Sequence, residues 1–291
     1  MTVLRIGLAQ VDLVVGDLAA NAAMIEARTR QAAEAGAQLV VFPEMTLTGY
    51  PPEDLVLRRS FREASLATLD RLAADLAAAG LGEVAVIVGY VGSDAGPRNA
   101  AAFLQAGAVV ATYFKHHLPS YGVFDEARNF IAGQELTVVR FGGIDIGLTI
   151  CEDVWQDGGP FTAAALAKVG LLININGSPY ERGKDDVRLS LLARRAVEAG
   201  APVAYVNQVG GQDELVFDGD SLVVDAAGQL IARAPQFQAG LYCVELNLPA
   251  ATTDPGQLPA SAAGLAVRRA VAPLAPPVPA GALVEPLSIA E

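Results

Sequence analysis

The sequence predicts an α/β protein built as a four-layer α-β-β-α sandwich, and three features of its first 248 residues predict it. Apolar strand-like runs alternate with amphipathic, alanine-rich helices. Some strands are apolar throughout, as a sheet covered on both faces requires. Others follow one another as hairpin-like pairs. Mixed βαβ units and hairpins place helices outside and two packed sheets inside.

Taken from the N-terminus, a strand is expected over 4–9 and a helix with apolar residues at helical spacing over 18–34. The run Leu39-Val40-Val41-Phe42 makes 38–42 a strand buried on both faces. A helix over 60–79 leads to a strand over 84–89. Strands over 101–105 and 109–114 turn into each other at Ala106-Gly107. Strands over 136–141 and 145–150 precede a helix over 161–168, a strand over 170–175 and a helix over 185–199. Strands over 203–207, 221–225 and 242–246 complete a domain spanning 1–248. No internal repeat is visible. The character then changes: eight of the 17 prolines fall in 249–291, so this segment is expected to be an extended linker or tail without a core of its own. A linker implies something for it to lead to, either a further domain of a longer polypeptide or a partner on which it docks.

Composition excludes several function classes. Apolar residues make up 52% and charged residues 18%, which suits a packed globular protein. No run reaches the roughly 18–20 apolar residues of a membrane helix, and the N-terminus lacks a secretion signal, so a cytoplasmic protein is expected with no membrane partner. A net charge of −12, with scattered Lys and Arg, argues against nucleic acid. Cys151 and Cys243 stand in unlike contexts, as a reducing compartment allows. With two Cys and two adjacent His there is no zinc-ligand spacing, and neither a metal nor a cofactor is expected in this chain.

Three segments join a strand end to a reactive side chain, where open sheets collect ligands. Val40-Val41-Phe42-Pro43-Glu44 presents a carboxylate, Ala111-Thr112-Tyr113-Phe114-Lys115 an ammonium, and Leu148-Thr149-Ile150-Cys151-Glu152-Asp153 a thiol. Singly, each has a plain structural explanation: a buried Cys packs as a small hydrophobe, a Glu after a strand caps a turn, and a Lys at a strand end is solvated. Together they supply what amide cleavage needs. A free thiol titrates near pH ~8.5 and must be activated. Glu44 can take its proton, return it to the departing amine, and later activate the hydrolytic water. Lys115 and the Glu152 backbone N–H can stabilise the oxyanion, one such donor being worth about 3–4 kcal/mol.

These segments resemble the nitrilase superfamily of carbon–nitrogen hydrolases. They are most similar to the glutaminase domain of glutamine-dependent NAD synthetases. The narrower likeness rests on Gly49-Tyr50-Pro51-Pro52, on Tyr121-Gly122-Val123-Phe124-Asp125-Glu126, on Cys151-Glu152-Asp153-Val154-Trp155, on Asn174-Ile175-Asn176-Gly177-Ser178-Pro179-Tyr180, and on the 210–219 segment. The resemblance implies a nitrilase-like fold, cleavage of L-glutamine to glutamate and ammonia, and passage of the ammonia to a synthetase domain that amidates nicotinate adenine dinucleotide. It implies Glu126 as a second glutamate beside the Lys, and Tyr121, Glu152, Trp155, Ser178 and Tyr50 at or just behind the substrate. Each has an alternative reading: Tyr50 and Tyr121 as packing, Trp155 as packing that also shapes the pocket, Ser178 as a turn residue. By analogy a homo-oligomer is expected.

The ATP-binding loop of the synthetase half is missing, so ATP and Mg belong only to that inferred partner domain. Phe141-Gly142-Gly143 and Val209-Gly210-Gly211 read as turns. His116 and His117 have no evident orienting partner for a Cys–His mechanism. Cys243 is expected in the core, Asp125 and Arg128 read equally as a structural ion pair or as part of the site, and Asp213, Glu214, Asp218 and Asp220 are expected as loop or interface charges. Two other readings stay open: a free-standing amidase, carbamoylase or ω-amidase, and a non-catalytic scaffold of the same fold.

Overall fold

The computed structural model describes residues 2–251 and 261–277. Strand β1 (Thr2–Gln10) is buried from Leu4 onward and is followed by helix α1 (Leu18–Glu34), whose N-cap Asp17 accepts from the Ala20 N–H at 3.0 Å. β2 (Leu39–Val41) pairs in parallel with β1 and, after helix α2 (Arg59–Ala78), with β3 (Ala85–Ser93). β4 (Pro97–Gln105) and β5 (Ala108–Phe114) continue as an antiparallel meander. A single turn, α3 (Glu126–Asn129), leads to β6 (Glu135–Phe141) and β7 (Ile144–Ile150). From β7 the chain passes through α4 (Gly159–Ala167) to β8 (Leu171–Asn176), and through α5 (Lys184–Ala199) to β9 (Val203–Asn207), the three strands lying parallel.

The remaining strands are β10 (Val209–Gln212), β11 (Leu215–Asp218), β12 (Leu222–Val224), β13 (Leu230–Arg233), β14 (Gly240–Leu248), β15 (Ser261–Ala262) and β16 (Leu265–Val271). β14 returns to pair along the whole of β1. The outcome is a six-stranded sheet, β14-β1-β2-β3-β4-β5, facing an eight-stranded sheet, β13-β12-β9-β8-β7-β6-β16-β15.

Side-chain alternation explains the layering. In β2, Leu39 and Val41 turn into the slab between the sheets, against Ile146, Leu148 and Ile173 of the opposite sheet. Val40, between them, turns outward beneath α1 and α2, with Ile25, Leu69 and Leu72. On the other side α4 and α5 cover the second sheet through Phe161, Ala164, Leu192 and Ala196. Sheet faces apolar on both sides bury the more apolar surface, at roughly 25 cal/mol per Å². The fold is the expected α-β-β-α sandwich of the nitrilase-like class. Among the described residues no helix is long and apolar enough to cross a membrane.

Three expectations are corrected. The segment 249–291 is not uniformly without a core: β16 pairs in parallel with β6 over six residues, and Leu265 is buried beneath α4. The reason is local, since 260–272 contains no proline although both flanks are rich in it. Beyond β16, the Gln38 side-chain amide donates to the Pro277 carbonyl at 2.8 Å, so the segment reaches across to the first sheet. The rest of 249–291 lies outside the described residues. Val209-Gly210-Gly211 is not a turn but β10, paired with β11 around a tight turn in which Asp213 has φ +53°. Cys243 is only half-buried, against the α1 layer.

Candidate active site

The carboxyl ends of β2, β5, β7 and β8 meet at one end of the sandwich, and each delivers a polar group. Past β2 the chain turns through Pro43-Glu44-Met45. Gly89 of β3 lets it pass, because a Cβ there would meet the Met45 nitrogen and the Pro43 oxygen. Glu44 is thereby buried completely. Its Oε1 accepts from Lys115 Nζ at 2.9 Å and from Asn99 Nδ2 at 2.6 Å, and its Oε2 accepts from the Gly177 N–H at 2.7 Å. Gly177 follows β8, and the ring of Tyr50 lies against its backbone where a side chain would otherwise stand.

Lys115, one residue past β5, is 1% exposed. It bridges Glu44 and Glu126, with Nζ 2.8 Å from Glu126 Oε2 and 2.9 Å from Oε1. Burial alone would push the ammonium pKa down, but Glu126 and Glu44 outweigh it and raise it well above the ordinary value. The cluster carries two carboxylates for one ammonium. Glu126 absorbs the imbalance: burial, with Glu44 adding to it, raises its carboxyl to about 7 against the pull of Lys115. Tyr50 touches Glu126 through its hydroxyl at 3.4 Å, and both line a small cavity behind the cluster.

Cys151 stands where β7 ends and a turn of 3-10 helix over Cys151–Val154 begins. Its φ of +43° is a conformation that a non-glycine residue holds only when its surroundings enforce it. Burial pushes the thiol well above its ordinary range, and Glu44 pushes it further while Lys115 opposes. Its surroundings thus favour the protonated thiol over the thiolate, and Glu44, Lys115 and Glu126 all act on it electrostatically. Beside it the Glu152 N–H belongs to the first turn of a helix, where amides have no intrahelical partner.

Cys151 opens on the other side into a cavity of about 310 Å³. Its walls are Tyr121, Phe124, Glu152, Trp155 and Ser178, with the stretch from Glu181 into α5 opposite. Glu152 accepts from the Tyr121 hydroxyl at 2.8 Å and from Gln156 Nε2 at 3.1 Å. Ser178 is held by Asn207, which accepts from its N–H at 2.9 Å and donates to its carbonyl at 3.1 Å.

A carbon–nitrogen hydrolase model matches residues 5–255. The chain belongs to the carbon–nitrogen hydrolase family. This carbon–nitrogen hydrolase is 43% identical over 246 residues to a glutamine-dependent NAD(+) synthetase of Thermotoga maritima, covering 84% of this chain and 42% of that protein. It superimposes with a TM-score of 0.79 on a glutamine-dependent NAD+ synthetase from Acinetobacter baumannii in complex with ADP, at 32% identity over 87% of this chain and 48% of that one. It also matches a mutant of the amidase from Nesterenkonia sp. AN1 that shows covalent addition of the acetamide moiety of fluoroacetamide at the active site cysteine. There the TM-score is 0.73 at 30% identity, over 84% of this chain and 90% of that one. The chain thus spans less than half the length of the synthetases it matches.

In this hydrolase the structure brings Cys151, Glu44, Lys115 and Glu126 together, and places Tyr121, Glu152, Trp155 and Ser178 on the cavity wall. Tyr50 stands behind Glu126 instead. His116 Nδ1 bonds the Gly133 carbonyl at 2.7 Å, and burial with the neighbouring His116 lowers His117 to about 4. Asp125 and Arg128 form an exposed ion pair. Asp218 and Asp220 are not loop charges but buried partners of Arg188 and Arg233, each at 2.6 Å. Sequence reasoning missed Asn99, which bonds Glu44, and Lys184, whose ammonium lies 5.7 Å over the Trp155 ring at the cavity wall. An Asn entering an apolar strand was the available signal for the first. A Lys opening a helix gives none.

Proposed function

We propose that this chain hydrolyses the side-chain amide of L-glutamine to glutamate and ammonia, with Cys151 as nucleophile, Glu44 as general base and Lys115 as electrostatic partner. The observation that carries the reading is the placement of the Cys151 thiol between a dry Glu44–Lys115–Glu126 cluster and a cavity that offers both a carboxylate, Glu152, and a cation, Lys184. A free amino acid brings an ammonium and a carboxylate of its own, and such a pocket can pair both.

The neutral thiol sets the order of events. Glu44 takes the proton as sulfur attacks the amide carbon, and the oxyanion forms beside Lys115 and the Glu152 N–H. The tetrahedral intermediate collapses, Glu44 returns the proton to the leaving nitrogen, and ammonia departs from a thioester. Water then gives a proton to Glu44 and attacks the thioester; as that intermediate collapses Glu44 passes the proton to the departing sulfur, releasing glutamate and restoring both thiol and carboxylate. No cofactor is needed within these residues.

The synthetases among the relatives support a second half of the reading. Ammonia would pass to a synthetase domain, with its ATP and Mg, that amidates nicotinate adenine dinucleotide in the cytoplasm, from a glutaminase unit that self-associates. In this account the glutaminase unit includes β16 of the second sheet, and the proline-rich segment after it leads toward the partner. Weak glutaminase activity that rises when a synthetase is added is expected. The Nesterenkonia amidase, matched over 90% of its length, favours the alternative of a free-standing amidase on another small amide. Ammonia release from glutamine, set against a panel of small amides, decides between them. No turnover by the parent protein on any amide would support a scaffold, against which the intact triad argues.

A further inference from the structure

We propose that Asp153 is a positioning residue for this reaction, a carboxylate that locks the nucleophile turn to the strand end carrying Lys115. The proposal rests on the Cys–Glu–Lys reading above and concerns how the two reactive segments keep their relative place.

Asp153 is fully buried, and its two oxygens accept four hydrogen bonds. Oδ2 takes the Ile150 N–H at 2.9 Å and the Tyr113 hydroxyl at 2.7 Å. Oδ1 takes the His116 N–H at 3.2 Å and the His117 N–H at 2.9 Å. Only the first belongs to its own turn. An ordinary turn cap would stop there, leaving the second oxygen to water. The other three donors come from 113–117 and flank Lys115 on both sides. One carboxylate thus spans the residue before Cys151 and the residues on either side of Lys115.

None of the four hydrogen-bond donors is charged, though the nearby Lys115 ammonium also favours the anion. Burial raises the Asp153 pKa, while the His117 N–H, the Tyr113 hydroxyl and the Ile150 N–H pull it back. An apolar residue here would leave these four donors without an acceptor, so the carboxylate serves the fold as well as the site. What it supplies is register between two segments that share no strand pairing: β5 lies in the first sheet and β7 in the second. It also closes the turn that holds Cys151 at positive φ.

Asp153→Asn preserves shape but not acceptor count. Whichever way the amide is turned, its NH₂ faces either the Ile150 N–H or the paired His116 and His117 amides. The expected result is a kcat reduced about 100-fold, the scale of a small misplacement of reacting groups, with KM changed less than about threefold. Alkylation of Cys151 by iodoacetamide, followed by peptide mass spectrometry, should slow as well. That readout needs no amide turnover, so it separates this proposal from the choice of substrate. Leu72→Ala, on the buried face of α2, serves as a control: it lowers thermal stability from a helix that carries neither segment. Tyr113→Phe removes one donor of the four and should slow alkylation about threefold to tenfold at near-parent stability. That milder variant carries the test if Asp153→Asn does not fold. Alkylation and kcat at parent rates in a folded Asp153→Asn, or losses no larger than those of Leu72→Ala at matched stability, would overturn the proposal. So would a Tyr113→Phe variant indistinguishable from the parent.

Discussion

On one side of Cys151 lie Glu44, Lys115 and Glu126, none more than 6% exposed and tied to one another and to Asn99 and Gly177 by bonds of 2.6–2.9 Å. On the other side Tyr121 is 55% exposed, Glu152 has two partners, and Lys184 pairs with an exposed Glu181. The first neighbourhood is dry and over-determined; the second opens to solvent at Tyr121, although Glu152 and Ser178 on its wall are buried. The contrast separates two tasks. Proton transfer at sulfur needs charges in fixed places and in low dielectric, where they act strongly and require no reorganisation. Recognition needs an entrance, and an entrance cannot be dry. Damage to the buried side should therefore fall on kcat and stability, and damage to the open side on KM.

Substitutions at the buried side are expected to have the largest effect. Glu44→Gln keeps the acceptor for Lys115 but cannot take a proton, and its NH₂ must face the Gly177 N–H; it should lower kcat for ammonia release by roughly 10³-fold, with a modest fall in melting temperature. A loss seen mainly in KM would erase the distinction between the two sides. Lys115→Met leaves two buried carboxylates without their ammonium. It should cost roughly 3–5 kcal/mol in urea unfolding at neutral pH, as well as activity. An unchanged unfolding midpoint would mean that water reaches the cluster.

The third expected effect is smaller and comes from titration. Glu126 has its carboxyl raised to about 7, so the folded protein holds a proton that the unfolded chain releases from the ordinary value of 4.5. Between those values the folded state binds more protons, and this group's contribution to stability falls as pH rises, then levels off above about 7. Glu126→Gln removes the titration. Its stability relative to the parent should therefore improve from pH 5 to 8, as followed by thermal melts across that range. A constant difference would show that Glu126 titrates normally. At the open side, Lys184→Ala should raise KM for glutamine about tenfold and alter kcat by less than about threefold. An effect confined to kcat would place Lys184 with the buried group.

The buried side was the more legible in the sequence. Glu44, Lys115 and Cys151 each follow an apolar strand, so the strand pattern carried them to one end of the sandwich, and family resemblance added Glu126. Asn99 is hidden because it stands just before the apolar run that marks the strand, whereas β4 starts at Pro97. Lys184 was hidden because which wall a helix terminus lines is a tertiary fact. The same limit explains the fold. β2 and the start of β3 declared themselves by unbroken apolar runs, Leu39-Val40-Val41-Phe42 and Val84-Ala85-Val86-Ile87-Val88, while β10 is short and glycine-bearing and pairs with β11 across a tight turn. β16 was lost by averaging composition over a proline-rich segment whose thirteen-residue interior, 260–272, has none. Asp218 reads as a loop charge until Arg188, thirty positions away in the chain, is seen to reach it.

The most direct measurement is covalent trapping with a glutamine-analogue electrophile, read by peptide mass spectrometry. The account predicts a single adduct on Cys151, slowed by added glutamine and much slower in Glu44→Gln. Label on Cys243 alone, or an adduct at Cys151 that forms equally fast with Glu44 replaced and glutamine present, would contradict it.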